Sequence, residues 1–402
     1  MIALRSLARR RAAERRFRFA CQAAVVIALA CLGYLLASIV VPGASGFLRT
    51  TIALPLDLTR LPVTPERVAG RSGELALAGA GLESAVDAAA IRHYGQGGPE
   101  LLSDDAWTVV RDAVRARPDL LARRFTVHVP AASAIDIAWK GHGTPVAEAL
   151  VRRLSPALDI EFDSRFLLGA DATDPVRAGI GGALVGTLLT VAVTLALAVP
   201  VGVAAAVYLE EYAPRRRWTD LIEVSVNNLA AVPSIIFGLL GLSLFIGTLG
   251  LPRSTPIVGG LTLALMTLPV IIITARAAIG QVPGSVREAA MGVGASPIQV
   301  VFHHVLPLAA PGILTGALLG AARALGETAP LLLIGMRAFI AAPPGGLARP
   351  ATVLPVQIFL WSDQVDPGFV EKTSAAIIVL LVVLLAMNGS AAWWRTRAER
   401  AR

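Results

Sequence analysis

Apolar runs of about 20 residues, long enough to cross roughly 30 Å of hydrocarbon, recur along the chain and leave it few soluble ways to fold. Spans are expected near Phe19 to Val41, Ile180 to Tyr208, Leu229 to Leu249, Ile257 to Ala278, Ala310 to Gly335 and Ser374 to Trp394. With 55% hydrophobic residues among 402, an ordinary soluble domain is excluded. The expected fold class is an all-α polytopic membrane protein with six transmembrane helices.

A formal net charge of +8 invites a nucleic-acid reading, but the arginines cluster beside the spans instead of sharing one soluble face. Arg5, Arg9, Arg10, Arg11, Arg15, Arg16 and Arg18 precede the first span. Arg215, Arg216 and Arg217 follow the second, and Arg395, Arg397, Arg400 and Arg402 close the chain. The positive-inside rule puts all three groups in the cytoplasm, and an even number of spans puts both termini there. The first span has the basic start of a signal peptide and small residues at Ala44 and Ser45, but its apolar run exceeds a signal core. Cys21 and Cys31 lie within it and read as apolar fillers.

Residues 43–177 change to a soluble character, so residues 1–42 form a tail and first span, and residues 178–397 a core with five more spans. The insert reads as a small α+β module outside the cytoplasm. Ser103 to Asp105 are placed to cap a helix running through Leu121, while Phe125 to Val129 and Ile135 to Trp139 alternate like half-buried strands. His93, His128 and His142 have no metal-ligand spacing, so no metal is expected. Pro200, Pro233, Pro269 and Pro330 fall within or beside apolar runs. Such prolines free backbone carbonyls that neighbouring helices or water must satisfy, which suits a bundle around a pathway.

Between the fourth and fifth spans, Ser285 and Glu288 have the spacing of a capping box that would start a short helix. Gly294 is placed to end it, and Ser296-Pro297 to start a second helix reaching about Leu306-Pro307. Ala289 and Ala290 offer a small surface beside the Glu288 carboxylate. From the residues alone, this loop serves equally as a docking site for another protein or as a hairpin lying on the bilayer.

Arg323 and Glu327 stand four residues apart in the fifth apolar run, close enough to pair on one helix. A charge at mid-span costs at least about 2.5 kcal/mol on insertion scales, so both are expected to face the bundle interior. The pair reads either as an ion pair joining helices or as part of a transport path. Thr328 could add a hydroxyl. Arg276, near the inner end of the fourth span, is a second positive stop or a side chain snorkelling to headgroups.

The run Glu288-Ala-Ala, Gly294 and Leu306-Pro307 resembles the EAA loop of ABC-type import permeases, which docks into a groove on the ATP-hydrolysing subunit. His304 stands where that family has an aliphatic residue. The stretches around Gly186, Pro200 to Tyr212, Asn228 to Gly238, Gly326 to Pro330 and Trp361 to Ala376 resemble phosphate permeases of the PstA type across residues 178 to 395. The resemblance implies the type-1 importer permease fold, with 283–308 as the coupling loop. It also implies an ATPase dimer, a homologous second permease and an extracytoplasmic phosphate-binding protein as partners, in a bacterial inner membrane.

On that resemblance Arg323 contacts transiting phosphate and Glu327 limits how tightly it holds. The planar guanidinium fork suits a phosphate and keeps its charge. The only lysines, Lys140 and Lys372, follow Trp139 and Glu371, so neither belongs to a phosphate-binding loop. Energy is therefore expected from another chain, or from an ion gradient, and this chain is expected to carry no catalytic residues and to need no cofactor. Other readings are a sulfate or molybdate permease, the sister phosphate permease, a proton-coupled carrier using Glu327 and His304, or a sensor built on the insert.

Overall fold

The computed structural model describes residues 2–400 except 70–72, 215, 338 and 341. Arg215 and Arg402 of the basic clusters therefore lie outside the described residues. Five helices are long and apolar enough to cross a membrane, or six if one bent pair counts as a single span.

Helix α1 (Ile2–Ser45) leads directly into strand β1 (Leu48–Asp57), the centre of a three-stranded antiparallel sheet ordered β2-β1-β3. β2 is Arg124–Pro130 and β3 is Leu158–Phe162. Ile52 faces Val129 on one side and Leu158 on the other. Alternation on β1 sends Ile52, Leu54 and Leu56 into a core closed by the insert's helices.

Two expectations fail here. Ile135 to Trp139 is not a strand but part of helix α3 (Ser133–Trp139). The reason is Asp136, which accepts from the Thr50 amide at 2.7 Å and from Lys140 Nζ at 2.7 Å. An i,i+4 pair with a buried carboxylate requires a helical turn and overrides the period-two pattern. The helix beginning after Asp105, α2 (Ala106–Ala116), stops before Pro118 and not at Leu121. Asp105 makes no side-chain cap bond, because its Oδ2 meets Arg177 at 2.6 Å.

The core comprises α4 (Gly181–Val207), α5 (Arg217–Ala230), α6 (Ser234–Gly241, extended by a π turn to Thr248), α7 (Pro256–Gly280), α8 (Gly284–Gly292), α9 (Leu306–Gly326), α10 (Ala329–Leu333), α11 (Leu354–Ser362) and α12 (Gly368–Arg400). The central helix is α7, whose apolar window is 56% buried against 33% or less for the other spans. It packs on α4 and α9 through small residues. A Cβ on Gly320 would lie 3.4 Å from Ile271, while Gly312 and Gly316 sit against Ala278 and Thr274. This four-residue spacing lets the helices approach closely where no hydrophobic force drives them together.

Two expected spans are altered. The third, read as Leu229 to Leu249, is bent by 99° between α5 and α6, with Pro233 as the extended residue before α6. The fifth, read as Ala310 to Gly335, instead begins at Pro297 and runs without interruption through a π turn (Val301–Val305) to Gly326.

The insert is fastened to α12 by the chain's two lysines. Lys140 Nζ reaches Asp136 at 2.7 Å, Glu371 at 3.1 Å and the Leu48 carbonyl at 2.8 Å. Lys372 Nζ reaches Asp163 at 2.7 Å and the Gly46 carbonyl at 3.1 Å, and lies 4.9 Å above the Phe166 ring. Both lysine side chains are nearly closed to solvent. Ser133 Oγ donates to Asp366 at 2.9 Å beside them.

Candidate translocation and coupling sites

Helix α8 starts one residue earlier than its expected cap. Pro283 is the N-cap, with φ −59° and ψ 140°, so Ser285 already has helical backbone and forms no capping box with Glu288. The capping box lies at Ser296, whose Oγ accepts from the Gln299 amide at 3.4 Å while Gln299 Oε1 accepts from Ser296 N at 2.9 Å. Gly294 takes the left-handed backbone that its position requires, φ 91°. The Ala295 amide, just beyond it, closes the turn onto the Ala290 carbonyl.

Ser285, Glu288 and Ala289 are exposed, whereas Ala290 is buried against Ala275 and Ile279. The expected Ala289-Ala290 surface is thus one residue outward and one inward, because adjacent helical positions point about 100° apart. The outward face continues through Met291, Val293 and Ile298, all exposed.

Arg287, which the sequence reading passed over, anchors α8 from beneath. Its Nη2 donates to Glu211 Oε1 at 2.6 Å and its Nε to the same carboxylate at 3.1 Å. Nη1 donates to the Val282 carbonyl at 2.6 Å and Nη2 also to Ile279 O at 3.2 Å. Hydrogen bonding to Glu211 raises the guanidinium above its ordinary range, so it stays charged. The run Glu210-Glu211 was the available signal, but its partner lies 76 residues away in sequence.

Arg276 sits one helical turn before the end of α7. It is paired with Glu210 Oε2 at 3.4 Å and, more closely, with Glu223 of α5. With two carboxylates on it, Arg276 joins three segments and is not an open positive stop.

At the other end of α9 the helix breaks. Glu327 has extended backbone (φ −82°, ψ 126°), Thr328 precedes α10, and Pro330 sits in the first turn of α10. Pro330 has no amide to give the Gly326 carbonyl and its ring would crowd that oxygen, which favours a break here, although α4, α7 and α9 run through Pro200, Pro269 and Pro311. Arg323 Nε remains 3.8 Å from Glu327 Oε1 across the break. Arg323 is 38% exposed and Glu327 21%, so neither is sealed in the interior as the sequence suggested. Thr328 is half-buried.

The bent segment meets this break directly. A Cβ on Gly238 of α6 would lie 2.6 Å from Pro330 Cα. Two discontinuous helices therefore touch backbone to backbone beside the Arg323–Glu327 pair, an arrangement that lines substrate sites in transporters. Gly238→Leu is expected to force them apart and cost at least about 1–3 kcal/mol, since the clash is with backbone and not a flexible tip. The lowered melting temperature of the purified variant checks this, and an unchanged one would refute the contact.

Along α9, Gly312, Gly316 and Gly320 face Ala278, Thr274 and Ile271 in turn, so α9 runs antiparallel to α7. Arg323 thus lies on the order of 15 Å along the axis from Arg276. The structure brings Arg323, Glu327 and Thr328 together. It places Arg276 with the loop of Ser285, Glu288, Ala289, Ala290 and Gly294.

Residues 198–400 match the family described as binding-protein-dependent transport system inner membrane component. Residues 4–149 match a domain of unknown function, DUF3333, whose boundary falls before β3, although β3 completes the sheet. The phosphate transport system permease protein PstA 1 of Mycobacterium tuberculosis (strain ATCC 25618 / H37Rv) is 41% identical over 156 residues, 39% of this chain and 50% of that protein. PstA of Haemophilus influenzae is 32% identical over 214 residues, 53% of this chain and 73% of that protein. The probable ABC transporter permease protein YqgI of Bacillus subtilis is 31% identical over 206 residues, covering 48% and 70%. The chain spans about half the length of the Mycobacterium relatives it matches. Among solved structures, an inward facing MetNI methionine ABC transporter aligns with 53% of this chain and 94% of its own, at 19% identity and a TM-score of 0.42. By the match over its C-terminal half and the PstA relatives, the chain belongs to the family of binding-protein-dependent transport system inner membrane components, in its PstA-type branch.

Proposed function

We propose that this chain is the permease subunit of an ATP-driven phosphate importer and forms half of the pathway across a bacterial inner membrane. The observation that carries the reading is one helical run, Pro297–Gly326, with the exposed Glu288 surface at its inner end and the Arg323–Glu327 break at its outer end. Relatives named as phosphate transport permeases support phosphate as the anion. On this reading both termini are cytoplasmic, the insert is extracytoplasmic, and a second, homologous permease completes the pathway. A binding protein delivers phosphate, and an ATPase dimer grips α8. The chain itself is a transport subunit and not an enzyme.

Closure of the ATPase pair on ATP would draw the two coupling loops together. Arg287 transmits that pull to the π turn that extends α4 (Tyr208–Tyr212) and to α7 through Glu211 and the Ile279 carbonyl. Glu288→Lys reverses the charge on the exposed face and leaves the Arg287 anchor intact. It is expected to lose co-purification with the ATPase by at least tenfold while expression stays normal; undiminished co-purification would refute the docking role.

Radiolabelled phosphate uptake in sealed vesicles bearing the assembled complex tests the whole reading. Uptake should require ATP and the binding protein, and excess sulfate should leave it unchanged. Uptake abolished by collapsing the ion gradient would instead support the proton-coupled carrier. Competition by sulfate would support a different oxyanion.

A further inference from the structure

A second cluster of arginines lies away from α9, where the insert joins the core. A cavity of about 180 Å³ is lined by Arg49, Arg165 and Arg177 together with Asp105, Asp171 and Ser103. The three arginines come from three segments: β1, the short helix Ser164–Leu168 and the linker into α4. Their convergence is therefore a product of the fold and not of a run of basic sequence.

Each guanidinium is steadied by one carboxylate. Arg49 Nη2 lies 3.4 Å from Glu161, Arg165 Nη2 3.3 Å from Asp112, and Arg177 Nε 2.6 Å from Asp105. One bond each leaves most of their N–H groups without a protein acceptor among the described residues. Arg49 Nε in particular is closed to solvent and bonded to nothing described.

The floor is held by the core. The Asp171 amide donates to Ile340 O at 3.3 Å, and Asp171 Oδ1 accepts from Trp361 Nε1 of α11 at 2.9 Å. Ser103 Oγ donates to Asp174 at 2.7 Å. Burial pushes the Asp171 and Asp105 carboxyls up from the usual carboxylate range, with Trp361 and Arg177 partly opposing it.

We propose that this seam cavity binds a small tetrahedral oxyanion of the phosphate class, held by Arg49, Arg165 and Arg177 before it reaches Arg323. The anion identity rests on the permease reading above, whereas the site itself rests on the three guanidiniums. Bidentate forks fixed from several directions are what a tetrahedral anion requires, and a lysine cluster would not supply them. The insert then supplies an anion-holding position at the mouth of the core.

The test is equilibrium binding of labelled inorganic phosphate to the full chain in nanodiscs of zwitterionic lipid. Every chain compared carries Arg323→Gln, so that the core position does not contribute. The reference chain is expected to bind phosphate, and Arg49→Gln with Arg177→Gln to weaken binding at least tenfold. Ala172→Met fills the cavity and leaves every ion pair in place, so its equal loss excludes misfolding as the cause. Unchanged binding in both the arginine and the plug variants would overturn the proposal. Phosphate binding that is displaced by anionic lipid added to the discs would assign the cavity to a headgroup phosphate and overturn the free-anion assignment. Absence of phosphate uptake in vesicles would remove the transport reading without touching this binding result.

Discussion

Replacing Lys372 with methionine is expected to destabilise the junction between insert and core by about 3–5 kcal/mol, the cost of leaving a buried charge without its partner. Asp163 is 1% exposed, and once Lys372 is gone its Oδ2 keeps no cation. The Gly46 carbonyl and the Phe166 ring face lose their contacts with the same ammonium. Lys140 remains, held by Asp136, Glu371 and Leu48, so the junction loosens and does not dissolve. Lysine-specific proteolysis reads this directly, because the folded chain offers such a protease only two closed sites. Cleavage after Lys140 should accelerate in Lys372→Met by roughly 100-fold or more, following the lost stability. Lys372→Met combined with Asp163→Leu should recover much of the resistance, since an apolar pair can replace a buried ion pair at little cost. Equal cleavage rates in wild type and Lys372→Met would show that the pair contributes nothing.

Arg323→Gln is expected to reduce phosphate uptake by roughly 10- to 100-fold, the scale of one hydrogen bond to a charged group, about 1.5–3 kcal/mol. The variant should insert and assemble normally, because Arg323 is 38% exposed and its only ion pair among the described residues is a 3.8 Å contact to Glu327. Glu327→Gln separates the roles. If the pair is only structural, the two substitutions should act alike. If Arg323 holds the anion, removing the competing carboxylate should tighten phosphate binding and slow its release. Near-normal uptake by Arg323→Gln would end the assignment.

Hydropathy located every long helix but not their breaks. The run Leu229-Ala-Ala-Val-Pro233 is continuously apolar, and nothing in an apolarity count registers that the chain turns by 99° within it. In the fifth span the reverse happened. Apolar residues continue past Glu327, so the window extended to Gly335 while Pro330 had already opened a new helix. At the inner end, Pro297 does start a helix as its sequence context suggests. That helix was expected to stop near Pro307, yet the run continues through this proline, which follows directly on the π turn Val301–Val305.

The loop around Glu288 was legible as a motif but not as a surface. Glu288 faces outward as expected, but which alanine joins it depended on where α8 begins, and Pro283 moved that start. Arg287 was illegible for a different reason. Its role depends on Glu211, which only the tertiary fold brings near. The seam cavity was illegible for the same reason, since its arginines lie up to 128 positions apart in sequence, from Arg49 to Arg177.

The unbroken run from Pro297 to Gly326 also has a mechanical meaning. Thirty residues of helix make a rod about 45 Å long, and its glycine ridge interlocks with α7, so it cannot slide lengthwise against that helix. The two must tilt as one beam. A tilt of about 5° at the inner end of such a beam swings its far end by about 4 Å. Arg323 and Glu327 both ride on that far end, so a small rotation at the inner end carries the pair as a unit against the helices around it.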